Sequence, residues 1–218
     1  MRLLHIDSSA RCARSHSRAL SALFVAALHA RMPMLDLDRL DVAADPPPHA
    51  TELFTAAMYT PAEQRTPAMV ESLRTSDALC DRVMAADAMV FGVPMYNFGM
   101  PSVLKAFFDN IVRPGRTYKR GPDGRVVGQL GGQRVLFVTA RGADLGLRSG
   151  RESADALTPG LRAILGFLGV TDMTFVDAQP LQFAGDEARS RALAQARERL
   201  LGIAGSWAVQ PAPSGAAA

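Results

Sequence analysis

Apolar residues along this chain follow two rhythms that alternate from one end to the other. Residues 3–6, 88–93, 134–139 and 173–176 are short, mostly apolar runs, whereas residues 34–40 alternate apolar with polar. Continuous runs of this length suit strands buried on both faces of a sheet, and alternation suits a strand near a sheet edge. In the intervals, Leu20, Leu23, Phe24, Ala27 and Leu28 recur every three or four residues, and so do Met69, Leu73, Leu79, Cys80 and Val83. Val103, Leu104, Phe107, Phe108, Ile111 and Val112 repeat the spacing, followed by Leu157, Leu161, Ile164, Leu165 and Leu168. Each set marks the buried stripe of an amphipathic helix. A final helix, rich in alanine and arginine, is expected over about residues 186–202.

Punctuation residues set where these elements start and stop. Ser15 is placed to cap the first helix, which should end near Met32-Pro33, and Thr66-Pro67 opens a long one with threonine as cap. A shorter helical piece is expected over 53–58, after a loop that Pro46, Pro47 and Pro48 keep out of helix and sheet. Pro101 suits the first position of the helix that Arg113-Pro114-Gly115 ends. Residues 117–128 form a basic hairpin or flap that turns at Pro122-Asp123-Gly124. Residues 205–218 read as a disordered tail in which Trp207 has no core to join, leaving a single domain over 1–204.

Five strands separated by helices describe an α/β fold, a doubly wound parallel sheet in the order 2-1-3-4-5 with helices on both faces. Such sheets bind ligands at the carboxyl ends of their strands, here the first, third and fourth. The first strand runs into Asp7-Ser8-Ser9-Ala10-Arg11-Cys12-Ala13-Arg14-Ser15-His16-Ser17-Arg18, a polar loop that leads into a helix amino terminus. Unpaired amides and the helix dipole favour an anion there, and the loop carries more serine hydroxyls than one cap requires. The third strand ends in Pro94-Met95-Tyr96-Asn97-Phe98-Gly99-Met100-Pro101, which presents an amide and two aromatics on a turn between prolines. After the fourth come Ala140, Arg141, Gly142 and Ala143, mostly small residues beside which a flat ring can approach the backbone. A phosphate on the first loop and a ring against the other two describe a mononucleotide bound end-on. No Gly-x-Gly-x-x-Gly follows the first strand, which disfavours a dinucleotide.

Composition narrows the setting. At 218 residues, 48% hydrophobic and 21% charged, the chain has an ordinary globular make-up. Cys12 and Cys80 show no paired spacing, so neither a disulfide framework nor a zinc site is indicated, in keeping with a reducing cytoplasm. The amino terminus reaches Asp7 too soon for a signal peptide, and no run approaches the roughly 18 apolar residues of a membrane helix. A net charge of +3 comes from dispersed arginines without a dense basic block, which argues against a nucleic-acid partner. His5, His16, His29 and His49 lack metal-ligand spacing.

The segments Ser8-Ser9 with Ser15-His16-Ser17, Pro94-Met95-Tyr96-Asn97-Phe98, Lys105-Ala106-Phe107-Phe108-Asp109, Thr139-Ala140-Arg141-Gly142 and Gly166-Phe167-Leu168-Gly169 cover nearly the whole chain. Together they resemble the FMN-dependent NADH-azoreductases of bacteria, within the flavodoxin-like quinone reductases. The resemblance implies an FMN phosphate held by Ser9, Ser15, His16 and Ser17. It implies an isoalloxazine held by Met95, Tyr96, Asn97 and Phe98, with Ala140, Arg141, Gly142 and Ala143 beside it. The family usually reads Ser-Arg-Gly-Gly at that last segment, so Ala140 removes a hydroxyl contact here and Ala143 replaces a glycine. Also implied are a homodimer with its two sites at the interface and Tyr118, on the flap, stacking on the substrate. The implied reaction needs no protein nucleophile. NADH or NADPH gives a hydride to the flavin and leaves, and the reduced flavin then passes two electrons to an azo compound or quinone.

Two other readings fit parts of the chain. Cys12 and Arg18 satisfy the Cys-x5-Arg pattern of low-molecular-weight phosphatases, in which a thiolate at a helix amino terminus attacks a phosphate that the arginine clamps. A flavodoxin-type electron carrier shares the fold, although such carriers present an acidic face and this chain is basic.

Overall fold

The computed structural model describes residues 1–146 and 149–209. Its elements are β1 (Arg2–Asp7), α1 (His16–Arg31), β2 (Asp36–Asp41), α2 (Glu52–Tyr59), α3 (Pro67–Ala85), β3 (Ala88–Pro94) and α4 (Ser102–Ile111). They continue with β4 (Tyr118–Arg120), β5 (Val126–Gly128), β6 (Arg134–Ala140), α5 (Leu157–Phe167), β7 (Asp172–Ala178) and α6 (Asp186–Val209). Five parallel strands form one sheet in the order β2-β1-β3-β6-β7, while β4 and β5 make a separate antiparallel hairpin. Counting the strands of the main sheet alone, this is the expected 2-1-3-4-5.

Every residue of β3 is buried, and its side chains alternate between two cores. Met89, Phe91 and Val93 pack under α3, α4 and α5, whereas Ala88 and Val90 pack under α1 and α6. Parallel register sets Phe91 opposite Phe137 and Phe137 opposite Phe175. Their rings stack at centroid separations of 4.9 and 4.8 Å, a ladder that ties three strands together on one face. Each such pair contributes about 0.5–1.5 kcal/mol beyond its buried area. β2, with its alternating pattern, lies at the sheet edge, where Arg82 of α3 reaches over to Asp38 with bonds of 2.7 and 3.0 Å. The helix caps also follow the sequence. Ser15 and Thr66 each accept an amide hydrogen from the residue three positions on.

Three boundaries differ from the sequence pattern. Leu35 donates its amide to Met32 in a turn, so pairing with β1 starts at Asp36 and Met34 is left in solvent. Pro101 precedes α4 as its cap residue and does not occupy the first helical position. The largest difference is at the carboxyl end, where α6 continues through Val209 and the expected tail loses its first five residues. Trp207 is 4% exposed, meets Phe24 edge-on at 5.2 Å and lies under the Arg134 guanidinium at 5.4 Å. Ala192, Ala196, Leu200, Ala204 and Trp207 form one buried stripe. Its alanines give little hydrophobic contrast in the sequence but let α6 pack closely on α1. Residues 210–218, the rest of the expected tail, lie outside the described residues.

Replacing Trp207 with Ala should therefore lower the unfolding free energy by about 3 kcal/mol, as large-to-small changes in a core do. Urea denaturation checks this, and an unchanged midpoint would mean that the last turns of α6 are not docked.

Candidate functional site

Because β1, β3 and β6 end nearly level, the loops that follow them meet in a cavity of about 680 Å³. Cofactor cavities commonly span about 300–1,000 Å³. All twelve residues expected at the cofactor, from Ser9 through Met95 to Ala143, line this one cavity.

The first loop is pinned at its root. The amide and hydroxyl of Ser8 both donate to the Gly92 carbonyl at 3.1 Å. Ser9, Ser15 and Ser17 are buried, and the Ser15 and Ser17 hydroxyls lie 3.1 Å apart. The first amides of a helix have no partner inside it, and here they belong to His16 and Ser17, both on the cavity wall. Hydroxyls and free amides at a helix amino terminus are the donor set that a phosphate needs. Behind the loop, Arg18 donates twice to the Ser9 carbonyl, at 3.1 and 2.7 Å, and twice to Asp41, at 2.6 and 2.8 Å. That hydrogen bonding holds the Asp41 carboxyl below its usual range.

This arrangement rules out the phosphatase reading. Four of the five guanidinium N–H groups of Arg18 are occupied by Ser9 and Asp41, so it has no fork left to clamp a phosphate. Cys12 is exposed and lines a shallow neighbouring cavity with Arg11, Ala13 and Arg14, apart from the main one.

The second loop is a tight turn. Tyr96 and Gly99 exchange backbone hydrogen bonds of 3.0 Å, and the two residues between them have positive φ, Asn97 at 48° and Phe98 at 69°. Asparagine tolerates this conformation, but an ordinary side chain such as that of phenylalanine costs on the order of 1–2 kcal/mol there. Three bonds hold the turn in place: the Met95 amide to Ala140 O (2.9 Å), the Ala156 amide to Phe98 O (3.0 Å) and the Ala10 amide to the Tyr96 hydroxyl (3.2 Å). The last of these joins the anion loop to the aromatic turn.

The third loop hangs on Arg141, which is 2% exposed. Its guanidinium donates to Thr139 (3.1 Å), Asp155 (2.9 Å), Thr158 (2.7 Å) and Asp177 (3.0 Å). The other Asp155 oxygen accepts the amides of Leu157 and Thr158 at the start of α5. Arg141 thus lines the cavity but spends its charge on the protein, and its role is to fix the loop. Beside it, a Cβ on Gly142 would sit 3.0 Å from the Phe183 ring, so the missing side chain lets that ring lie against the backbone.

Tyr118 does not join the cavity. Its ring packs edge-on against Phe167 at 4.9 Å, so within a single chain the expected contact with a substrate is not made. Conversely, Leu181, Gln182 and Phe183, from the loop after β7, line the cavity and were not anticipated. The Leu181 and Phe183 amides bond the Gly142 carbonyl, which draws this loop to the site. The available signal was Phe183 itself, an aromatic in a loop after the last strand and 77% exposed in the structure. Arg11, Arg14, Leu145 and Arg189, with Pro94, are the other unanticipated wall residues among those described. Among the described residues, no cluster of His, Cys, Asp and Glu is placed to hold a metal ion, and no helix is long and apolar enough to cross a membrane.

The sequence matches the family profile described as flavodoxin-like fold over residues 1–203. It is 43% identical over 205 residues to an FMN-dependent NADH:quinone oxidoreductase of Nostoc punctiforme, covering 94% of this chain and 98% of that one. It is 38% identical over 205 residues to the Azospirillum brasilense protein of the same name, covering 94% and 98%. Among solved structures, azoreductase AzrA is similar at a TM-score of 0.87 and 22% identity, covering 94% of this chain and all of that one. An FMN-dependent NADH-azoreductase from Bacillus anthracis, in complex with FMN, gives 0.81 at 21% identity, covering 93% and 99%. At these identities the structural likeness is one of fold.

Behind the anion loop, His5 Nε2 is 2.9 Å from the Ser21 hydroxyl, which donates to Asp7 at 3.1 Å. Burial, reinforced by the positive charges of Arg39 and Arg18, pushes the His5 imidazole down to about 4. Burial raises the Asp7 carboxyl. A histidine with a depressed folded pKa gains a proton on unfolding, so its contribution is lost as pH falls from about 6.5 towards about 4. Asp7 has the opposite sign, since the folded state holds its proton more tightly. The His5 contribution should thus decline with acidification through that window, with a slope of up to about 1.4 kcal/mol per pH unit, against which Asp7 works. Denaturation at several pH values should show a shallower slope for His5→Gln, and an equal slope would remove His5 from the account.

Proposed function

The chain belongs to the flavodoxin-like fold family, and on that premise we propose that it is an FMN-dependent NADH:quinone oxidoreductase that also reduces azo compounds. The observation that carries this reading is a single cavity with a phosphate-type donor set at one part of its wall and a rigid amide-and-aromatic turn at another. The residues fit FMN. Ser9, Ser15, His16 and Ser17 would hold its phosphate with hydroxyls and amides, with no competing carboxylate among the described residues of the wall. Met95, Tyr96, Asn97 and Phe98 would hold the ring, with Ala140, Arg141, Gly142 and Ala143 offering backbone beside it. When bound, FMN supplies the redox chemistry, taking a hydride from NADH and delivering two electrons to a quinone or azo compound in a ping-pong sequence. The protein's part is to orient and enclose. The strained turn presents Asn97 in one fixed position, and the exposed rings of Phe98 and Phe183 give a planar second substrate apolar surfaces that displace water.

The described residues of the cavity wall include no acidic side chain to repel an added phosphate, which favours acceptance of NADPH as well as NADH. We take the enzyme to act as a homodimer, in which the flap of one copy covers the cavity of the other and brings Tyr118 to the substrate. Its free cysteines, Cys12 and Cys80, suit the cytoplasm, where NADH is also at hand.

The purified protein should take up FMN with a flavin absorption band and catalyse NADH-dependent reduction of menadione and methyl red. An absence of both would overturn this reading, while flavin uptake without NADH oxidation would point to a passive carrier. Because Asn97 has positive φ, the informative variant is Asn97→Gly, which removes the amide and keeps the turn. It should weaken FMN binding by roughly 5–30-fold, the worth of one or two buried hydrogen bonds, as read by fluorescence titration.

A further inference from the structure

The charge on the cavity wall exceeds what a flavin phosphate uses. Among the described residues, four arginines line it, Arg11, Arg14, Arg141 and Arg189, and no carboxylate does. Arg141 is neutralised by Asp155 and Asp177. Arg189 pairs with Asp186, whose side chain is almost wholly in solvent, a kind of contact worth little. Arg11 and Arg14 are exposed and, among the described residues, neither side chain has an ion pair or hydrogen bond. The phosphate site, meanwhile, has its own donors in three serine hydroxyls and the amino terminus of α1. Arg11 and Arg14 also face a second, shallower cavity, which they form with Cys12 and Ala13, so they border both the main site and its annex.

We propose that Arg11 and Arg14, assisted by Arg189, form a subsite for an anionic group carried by the second substrate rather than by the flavin. The recognised chemistry is a delocalised oxyanion, which the planar guanidinium fork matches in geometry. It has two possible sources, the diphosphate of the dinucleotide donor or a sulfonate or carboxylate on an aromatic acceptor. The subsite makes the enzyme selective for charged over neutral substrates of the same ring system. This inference rests on the FMN reading and adds a substrate class to it.

The test uses the FMN-loaded enzyme and its Arg11→Ala/Arg14→Ala variant. Acceptors are menadione and 1,4-naphthoquinone-2-sulfonate, and donors are NADH and reduced nicotinamide riboside, which lacks phosphate. Removing both charges should lower kcat/KM for the anionic member of at least one pair by roughly tenfold and leave the neutral member within about twofold. Raising salt from about 20 to about 300 mM should weaken the same preference in the parent enzyme, because exposed charges are screened over about 6–20 Å in that range. A loss confined to the sulfonate assigns the subsite to the acceptor, one confined to NADH assigns it to the diphosphate, and a loss in both means that the two use it in turn. Arg11→Lys/Arg14→Lys should restore part of the preference. Equal losses for charged and neutral substrates, or a collapse of FMN affinity in the alanine variant, would overturn the proposal. Failure of the parent protein to bind FMN or reduce menadione would instead bring down the FMN reading, and this inference with it.

Discussion

β3 pairs with β1 as far as Gly92 and with β6 as far as Pro94, and this hydrogen-bonded register is what the site depends on. Parallel strands covered on both faces leave their polar connections at the two ends of the sheet, and register decides which of those connections meet. Here it aligns Asp7 with Gly92 and Pro94 with Ala140, so the three loops emerge side by side. The aromatic ladder of Phe91, Phe137 and Phe175 guards the same register from within the core. A one-residue slip would send those rings to the opposite face and separate the loops.

From these anchored ends, buried charge fixes the loops more tightly than backbone pairing alone. Arg18 grips the carbonyl of Ser9 from behind and is itself held by Asp41 at the end of β2. Arg141 ties the end of β6 to β7 and to the start of α5. Such partly buried ion pairs add little stability compared with apolar packing of the same volume, because desolvation offsets their attraction. Their effect is geometric. Each guanidinium has partners on several elements, so the loop it serves has one position in which all of them are satisfied. A wall formed in this way does not have to rearrange when a ligand arrives, and a pre-formed site loses less entropy on binding.

The strained turn at Asn97 and Phe98 belongs to the same logic. Left-handed backbone at a phenylalanine persists only where its surroundings hold it, and here Ala10, Ala140 and Ala156 supply the three bonds. They come from two loops and the end of β6, so the turn is rigid because the site is assembled, and the site stays assembled partly through the turn. The Ala10 to Tyr96 bond matters most in this respect, since it couples the anion loop directly to the ring-facing one.

Much of this was legible in the amino-acid order. Short apolar runs alternating with helical stripes specify strand and helix, their number and alternation specify a doubly wound sheet, and Ser15 and Thr66 mark helix starts through chemistry that acts over three residues. The serine loop, the Met95–Phe98 turn and the Arg141 segment were recognisable because the residue types themselves announce donors, aromatics and close approach. What the order of residues left open depends on distant partners. Arg18 fits a phosphate clamp until Asp41 and the Ser9 carbonyl are seen to saturate it, and Arg141 fits a ligand contact until Asp155, Thr158 and Asp177 surround it. Trp207 looked stranded because its neighbour Phe24 lies at the other end of the chain, and Phe183 went unmarked because its partner Gly142 lies after a different strand. Local pattern determines where elements begin and which face they bury, since those forces act between sequence neighbours. Which charges are spent and which remain free is decided by the tertiary structure, because a charge is neutralised by whatever lies within a few ångströms of it, regardless of separation along the chain.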